Sequence, residues 1–475
     1  MNNCIHEECG VFGIWSPKKS LDPARSSYFA LYALQHRGQE SCGIAVNDRG
    51  VISHYRGIGL VSEVFTEQKI QALGEGHMAI GHVRYSTSGV LNLSNAQPLC
   101  IQHIKGPLAI AHNGNITNSS ELRKKFELEG AIFYGTSDTE VIAYAITSNR
   151  LKTSCIEDAV KETMKILKGS FSMVVMSAQK LIAARDPIGF RPLCMGKKDD
   201  GSVLFASENC AFSTIGGEFV RDVKPGEIII VDQGDLRSDV SLCGEKRGKF
   251  CVFEFVYFAR PDSTIDGASV YEARFKAGKF LALEHPAKAD VVIGVPDSGI
   301  IAARGFASQS NIPYCDGFVK NKYIGRSFIQ PTQNMRENVV KIKLNAIKST
   351  VNGKRVVMVD DSIVRGTTSK RIVKILREAG AKEVHMRVSS PPFKNPCYFG
   401  TDIDSRDNLI ACKMSIDEIA AHIGVDSLGY LSVESVKKIA DSNQTDFCAG
   451  CFDGKYPCPP PKETSKNKFE QKITI

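Results

Sequence analysis

The chain has 475 residues, 43% hydrophobic and 24% charged, with a formal charge of +8, so it exceeds one ordinary core and predicts two or three domains. No apolar run approaches a membrane span, and Glu7 and Glu8 stand where a signal peptide would be basic. Fifteen cysteines in an enzyme-like composition argue against a disulfide scaffold and for reduced thiols, metal ligation and a cytoplasmic protein.

A basic balance often marks nucleic-acid binding. No Lys/Arg block interleaved with aromatics occurs here, so the charge fits a polyanionic small substrate better. The first half has an α+β texture. Cys9-Gly-Val-Phe-Gly-Ile opens a predicted strand, and helical stretches lie near 23–35 and 137–148. Short strands recur at 44–46, 77–83, 108–111, 171–176 and 227–231. Leu34-Gln-His-Arg37-Gly38-Gln39-Glu40 supplies one cation and Gly81-His-Val-Arg84 another. His112-Asn113-Gly114-Asn115 follows an apolar strand, and Ser137-Asp138-Thr139-Glu140 opens a helix with a capping pattern. Each fragment has a bland reading: a strand cysteine is often a small core hydrophobe, and Asn-Gly is usually a turn. In this order, over residues 9–235, they resemble the class II glutamine amidotransferase domain.

That resemblance implies a chemistry. Cys9 attacks the glutamine side-chain amide, and its own α-amino group, with a pKa of about 7.7–8.0, serves as the base. Cys9 must then be N-terminal, so residues 1–8 are a propeptide cleaved between Glu8 and Cys9. The Asn113 side chain and the Gly114 N–H stabilise the oxyanion. Arg84 holds the substrate carboxylate and Asp138 its ammonium group. Cys4, the alternative nucleophile, lacks the Gly-Val-Phe-Gly strand after it.

The polar segment 234–248 reads as the domain boundary. Beyond it, strands at 289–295, 356–359 and 383–388 alternate with a turn at 296–299 and a helix starting at 300–307. That βαβ order predicts a parallel sheet with right-handed crossovers. The most informative stretch is 355–369. An apolar strand stops at Asp360 and Asp361, small and hydroxylated residues follow, and a helical pattern (Ile372, Val373, Ile375, Leu376) runs to Gly380. A loop feeding a helix N-terminus offers N–H groups to an anion. The adjacent acids suit sugar hydroxyls and a divalent cation. Together they describe a phosphoribosyl pyrophosphate site.

The stretch resembles the corresponding loop of type I phosphoribosyltransferases. The resemblance implies that Asp360 and Asp361 hold ribose and one Mg²⁺ per subunit, with Ser298 of Val295-Pro-Asp-Ser-Gly299 adding a metal contact. Ser362, Val364, Arg365, Gly366, Thr367 and Thr368 cradle the 5′-phosphate. The family's basic loop, 320–345, carries Lys320, Lys322, Arg326, Arg336, Lys341 and Lys343, with Gly325 as hinge, and closes over the pyrophosphate.

Cys448-Ala-Gly-Cys451 alone fits zinc, an iron–sulfur cluster or a redox pair. Cys251 begins an apolar strand, and Cys397 follows Pro396 in a loop. Both halves in one chain resemble the amidophosphoribosyltransferase family, whose clustered form ligates one 4Fe–4S group per subunit at these four positions. Cys412 and Cys458 are spare candidates. The fold implied is an α+β N-terminal-nucleophile hydrolase sandwich (9–240), then an α/β parallel-sheet phosphoribosyltransferase domain (250–445). A cluster-binding segment (446–458) and a disordered tail (459–475) follow.

The activity implied is glutamine-dependent conversion of phosphoribosyl pyrophosphate to 5-phosphoribosylamine. The assembly implied is a homotetramer inhibited by purine nucleotides, with no nucleic-acid or membrane partner. Two alternatives remain at this stage. A purine-sensing regulator would need a DNA-binding element, and none is visible. A sugar aminotransferase would need isomerase domains in place of the 356–369 loop.

Overall fold

The structure, a computed structural model, describes residues 9–85, 92–244, 248–321, 344–401, 403, 405–441 and 446–461. Residues 1–8, most of the basic loop and the end of the tail lie outside them.

The first half builds two facing antiparallel sheets. Its strands are β1 (Gly10–Ser20), β2 (Ser41–Asp48), β3 (Val51–Ile58), β4 (Gly76–Arg84), β5 (Leu99–Ile101), β6 (Leu108–Ile116) and β7 (Gly169–Ser177). They continue with β8 (Lys180–Arg185), β9 (Cys194–Lys198), β10 (Val203–Ala206), β11 (Gly217–Asp222), β12 (Ile228–Asp232) and β13 (Asp235–Asp239). One sheet has the order β11-β9-β10-β1-β4-β2-β3, the other β13-β12-β8-β7-β6-β5.

Alternate side chains point to opposite faces of a strand, and both faces of these sheets are covered. Val11, Ala45 and Ile80 of the first sheet meet Ala111, Val174 and Ile229 of the second in one core. Outside the first sheet packs the helix Asp22–Ala33, through Ala24, Ala30 and Leu31. Outside the second pack Asp138–Arg150 and Ile156–Ile166, through Ile142, Ile146, Val160 and Met164. The result is a four-layer sandwich.

The second half carries a parallel sheet of Val291–Gly294, Arg355–Asp360, Glu383–Val388 and Ser427–Tyr430, in that order. Val292, Val357 and Val359 face a core shared with the helices Val270–Glu284 and Gly299–Ser310. Ile293, Val356 and Met358 face Thr367–Glu378 and Ile416–Ile423. Burial on both faces explains why the central strand reads as an unbroken apolar run.

Two expectations change. The presumed boundary at 234–248 contains β13, which pairs with β12 through Leu236 and Val231, so the second sheet extends into it. Cys251 ends the short strand Lys249–Cys251 and does not begin one. The apolar run after it is a helical turn, Glu254–Phe258, in which the Ala259 N–H donates to the Glu254 carbonyl at 3.0 Å. A segment buried on all sides shows no periodicity from which helix and strand can be told apart.

The halves are joined by buried contacts. Phe190 stacks on Phe399 with centroids 4.3 Å apart. The Arg185 guanidinium donates to both oxygens of Asp266 at 2.8 Å. Asp266 lies in the turn between Thr264–Ile265 and Ala268–Ser269. Beside that turn, burial and the Asp266 charge push the Asp222 carboxyl up from 3.8 to about 7. A raised carboxyl contributes stability that is complete below its unfolded value and is lost as pH rises through the folded one. Wild-type stability in urea should therefore decline between about pH 4 and 7, relative to Asp222→Asn. The variant should be the more stable at pH 8, by about 1–3 kcal/mol; parallel pH profiles of the two would overturn the assignment.

Candidate active sites

Cys9 stands just before β1, and Gly10 pairs with Val83 of β4. The Cys9 thiol is buried and donates to the Tyr85 carbonyl at 3.5 Å. The Cys9 carbonyl accepts from Arg37 Nε at 3.1 Å. Arg84 ends β4, opposite Ser41 of β2, and is 3% exposed. The ends of β4 and β6 meet across the sandwich, where His82 Nε2 lies 3.0 Å from the His112 carbonyl.

That contact delivers Asn113 and Gly114. The Asn113 side chain is 1% exposed, and its amide nitrogen has no hydrogen-bond partner among the described residues. Buried donors are nearly always satisfied in native proteins, so this one marks a place for an acceptor. Gly114 has φ +144°, and a Cβ there would come within 2.2 Å of the Ser170 carbonyl oxygen; only glycine fits.

Asp138 is the first residue of its helix. Its Oδ2 accepts from the Ile116 N–H at 3.0 Å, and its Oδ1 lies 3.8 Å from His112 Nδ1. Residues placed by sequence on four separate motifs are thus brought to adjoining strand and helix ends.

Sequence reading passed over His82. Burial pulls its pKa down to about 3, so the ring is neutral. Nε2 faces a carbonyl and must donate, which leaves Nδ1 as an acceptor without a partner among the described residues. A spacer position in Gly-His-Val-Arg carries no signal for this role.

In the second half, Val359 lies opposite Gly294, so two strands end side by side. Asp360 and Asp361 are each 8% exposed. The Ser298 and Ser362 hydroxyls donate to the two oxygens of Asp361, and the Asp361 N–H donates to Asp360 Oδ1 at 3.0 Å. Burial, then the charge of Asp361, pushes Asp360 well up. Burial also raises Asp361, against the pull of the two hydroxyls and Arg274.

Gly366 at φ +77° turns the chain into the helix Thr367–Glu378, whose N-terminus closes the loop. The Val364 carbonyl accepts from the Ile410 N–H at 2.9 Å; Arg365 and Thr368 flank the turn. Lys320 pairs with Asp297. Lys322, Arg326, Arg336, Lys341, Lys343 and the hinge Gly325 lie outside the described residues.

Two hard oxygen donors carrying excess negative charge fit a divalent cation. Among the described residues no three His, Cys, Asp or Glu side chains form a ready metal site. Mg²⁺ takes one or two carboxylates and fills its shell with substrate oxygens and water. Ser298, expected as a metal contact, donates its hydroxyl to Asp361.

The four cysteines assemble from distant segments. Cys251 and Cys448 face each other across a parallel strand pair. Cys451 lies in the turn Gly450–Asp453, whose carbonyl at Cys451 accepts from the Lys394 and Asn395 N–H groups at 3.0 Å. With Cys397 they line one small cavity, walled by Phe253, Phe393, Phe399 and Tyr456. Burial lifts the Cys448 thiol to about 12, and burial plus the three other thiols lifts Cys451 well up. Four soft donors in an apolar pocket suit an iron–sulfur group, whose iron would hold them as thiolates. Cys412 is exposed and donates to the Lys394 carbonyl at 3.2 Å. Cys458 packs nearby on Phe190 and Phe399 without lining the cavity.

The comparisons agree with this geometry. Residues 82–214 match a family model described as a glutamine amidotransferase domain, and 268–424 one described as a phosphoribosyl transferase domain. Amidophosphoribosyltransferase of Methanocaldococcus jannaschii is 49% identical over 464 residues, covering 94% of this chain and 97% of that protein. The Archaeoglobus fulgidus protein of the same name is 48% identical, covering 96% and 99%. A solved structure described as glutamine phosphoribosylpyrophosphate amidotransferase from B. subtilis, complexed with ADP and GMP, superposes with a TM-score of 0.89. It is 44% identical and covers 97% of this chain and 100% of that one. The chain belongs to the amidophosphoribosyltransferase family.

Proposed function

We propose that this member of the amidophosphoribosyltransferase family is an enzyme of purine biosynthesis that converts phosphoribosyl pyrophosphate and glutamine to 5-phosphoribosylamine, pyrophosphate and glutamate. One observation carries the reading. A buried strand-end thiol and a buried amide without a partner among the described residues share a chain with a strand-end loop bearing two buried, undercompensated carboxylates.

In the first half, the Cys9 thiol gives its proton to the Cys9 α-amine and attacks the glutamine amide carbon. The Asn113 amide and the Gly114 N–H receive the developing oxyanion, each worth about 3 kcal/mol of barrier. Arg84 pairs with the substrate carboxylate and Asp138 with its ammonium group. The protonated amine then protonates the departing ammonia, and water releases glutamate from the thioester.

Ammonia passes through the protein to the second half and attacks C1 of phosphoribosyl pyrophosphate, displacing pyrophosphate. Asp360 and Asp361 bind the ribose hydroxyls and orient the sugar. Residues Ser362 to Thr368 hold the 5′-phosphate at the helix N-terminus. Lys320 and Lys343, with the rest of loop 320–345, cover the pyrophosphate and exclude water, which competes with ammonia at C1. Mg²⁺, one per subunit, held by Asp360 and Asp361 with Ser298, supplies charge neutralisation for the leaving group when bound.

The 4Fe–4S group, one per subunit on Cys251, Cys397, Cys448 and Cys451, has a structural role, because no redox step occurs. Residues 1–8 are a propeptide, 9–240 the amidotransferase domain, 250–445 the phosphoribosyltransferase domain, 446–458 the cluster segment and 459–475 a tail. The enzyme acts in the cytoplasm as a homotetramer, and purine nucleotides restrain it. The ADP and GMP bound to the B. subtilis relative support that restraint.

N-terminal sequencing of active enzyme should read Cys9 first. Cys9→Ala, with its processing checked by mass, should lose glutamine-dependent synthesis and keep ammonia-dependent synthesis within about twofold. A variant dead with both nitrogen sources would remove Cys9 from the chemistry.

Asp361→Asn should lower kcat/KM for phosphoribosyl pyrophosphate by about tenfold to a hundredfold, or 1–3 kcal/mol. Unchanged kinetics would place the sugar elsewhere.

Anaerobically purified protein should be brown, with about four iron and four sulfide per chain. Stoichiometric zinc without acid-labile sulfide would replace the cluster with a zinc site.

A further inference from the structure

A buried charge cluster lies where the two halves meet. Arg37 follows the first helix, in the turn Gln35–Arg37, and is 1% exposed. Its Nε donates to the Cys9 carbonyl at 3.1 Å. Its Nη1 donates to Glu208 Oε1 at 2.6 Å and to Glu254 Oε2 at 3.0 Å, and its Nη2 donates to Glu254 Oε1 at 2.8 Å. Glu254 comes from beyond the domain boundary, three residues after Cys251, and its side chain is fully buried. Arg191 Nη1 donates to Glu254 Oε1 at 3.1 Å, and its Nη2 donates to the Phe399 carbonyl at 2.7 Å.

We propose that Glu254, a residue of the second domain, is a positioning residue for the amidotransferase site: its carboxylate fixes the guanidinium that holds the Cys9 carbonyl. The proposal rests on Cys9 acting as the N-terminal nucleophile.

The physical case has three parts. A carboxylate that takes both Nη groups fixes the plane of an arginine as well as its position. With that plane set, Nε has one direction, and it points at Cys9. Next, a mature N-terminal residue has no preceding peptide bond to anchor it. Its carbonyl and the strand after it orient Cα, from which both the base (the amine) and the nucleophile (the thiol) hang. Fixing the carbonyl therefore fixes the pair that must exchange a proton. Third, buried ion pairs contribute little net stability compared with apolar residues of the same volume. Directional control of a reacting group accounts for keeping this one better than stability does.

The test separates positioning from mere support of the domain contact. Glu254→Gln keeps the shape but loses the charge and presents an amide N–H to one side of the guanidinium. Misplacement of a reacting group by an ångström costs about a hundredfold. The kcat for glutamine-dependent synthesis should fall at least tenfold, with KM for glutamine changed by less than about threefold, because Arg84 and Asp138 are untouched.

Ammonia-dependent synthesis should stay within about twofold of wild type. Alkylation of Cys9 by a diazoketone analogue of glutamine should slow in proportion to kcat. Parallel losses with glutamine and ammonia, a rise in KM alone, or wild-type kinetics would each overturn the proposal.

If Glu254→Gln does not fold, Glu208→Gln disturbs the same guanidinium from its other side. The same split is expected, and an unchanged ratio of the two activities overturns the proposal. A wild type without glutamine-dependent activity, or a Cys9→Ala variant that keeps it, would instead defeat the reading on which the proposal rests.

Discussion

The ion pair between Arg37 and Glu254 is the fully buried charge contact on which the junction between the two halves is built. Burial alone would push both glutamates of the cluster toward protonation. Arg37 and Arg191 hold Glu254 below the ordinary carboxylate range, and His36 with Arg37 does the same for Glu208. Both therefore stay ionised at neutral pH. The remaining valences are filled too: Glu208 Oε2 accepts from the Arg260 N–H at 2.8 Å and the Ser263 hydroxyl at 2.6 Å. A buried charge is tolerable only when paired and hydrogen-bonded in this way. Removing any one member would weaken the compensation of the charges around it in low dielectric. The halves are consequently registered against each other by charge geometry, with the Phe190–Phe399 stack adding apolar area.

The acid pair of the second half shows the opposite arrangement. Asp360 and Asp361 are as deeply buried as many core residues. The hydroxyl partners of Asp361, on Ser298 and Ser362, are neutral, and Arg274, itself pulled down to about 10 by burial, acts on Asp361 through space. The charge of Asp361 therefore adds to burial in raising the affinity of Asp360 for protons. A fold that compensates Glu254 so completely leaves this loop undercompensated. The difference separates charges answered by full counter-charges from charges answered by neutral donors, and burial alone does not make that distinction.

Much of this was legible in the sequence. The parallel strands, the loop after Asp361 and the helix start at Thr367 follow from local rules: an apolar run, a glycine in the left-handed region, and helical spacing. Cys9, Arg84, Asn113 and Asp138 were found as motif members, and the resemblance set their roles. What sequence could not supply was pairing over long separations. Nothing in the run Val252–Phe258 distinguishes a buried turn from a buried strand, so the place of Glu254 was hidden. His82 looked like a spacer because its neutrality depends on the sheet opposite it. The helix Ile156–Ile166 was missed although Ile156, Ala159, Val160, Thr163 and Met164 carry the helical period in plain view.

The segment 254–259 explains why the linker between the halves is so apolar. At its start, Glu254 is held by Arg37 and Arg191 of the first half. Along its length, the carbonyls of Phe255, Tyr257 and Ala259 accept from Arg274 at 2.9, 2.8 and 2.7 Å. Arg274 belongs to the helix Val270–Glu284, and its charge acts on Asp361. Just upstream, Cys251 lies opposite Cys448 in a parallel strand pair, which draws in the segment after residue 446. A chain that passed ammonia between two pockets would lose it to water if the pockets moved independently. Here the short piece between the halves is bonded at both ends by buried guanidinium groups and packed on Phe250, Phe393 and Phe447. Bending it would break charged hydrogen bonds and expose aromatic surface at the same time, so the linker that carries Glu254 to Arg37 is braced along its length.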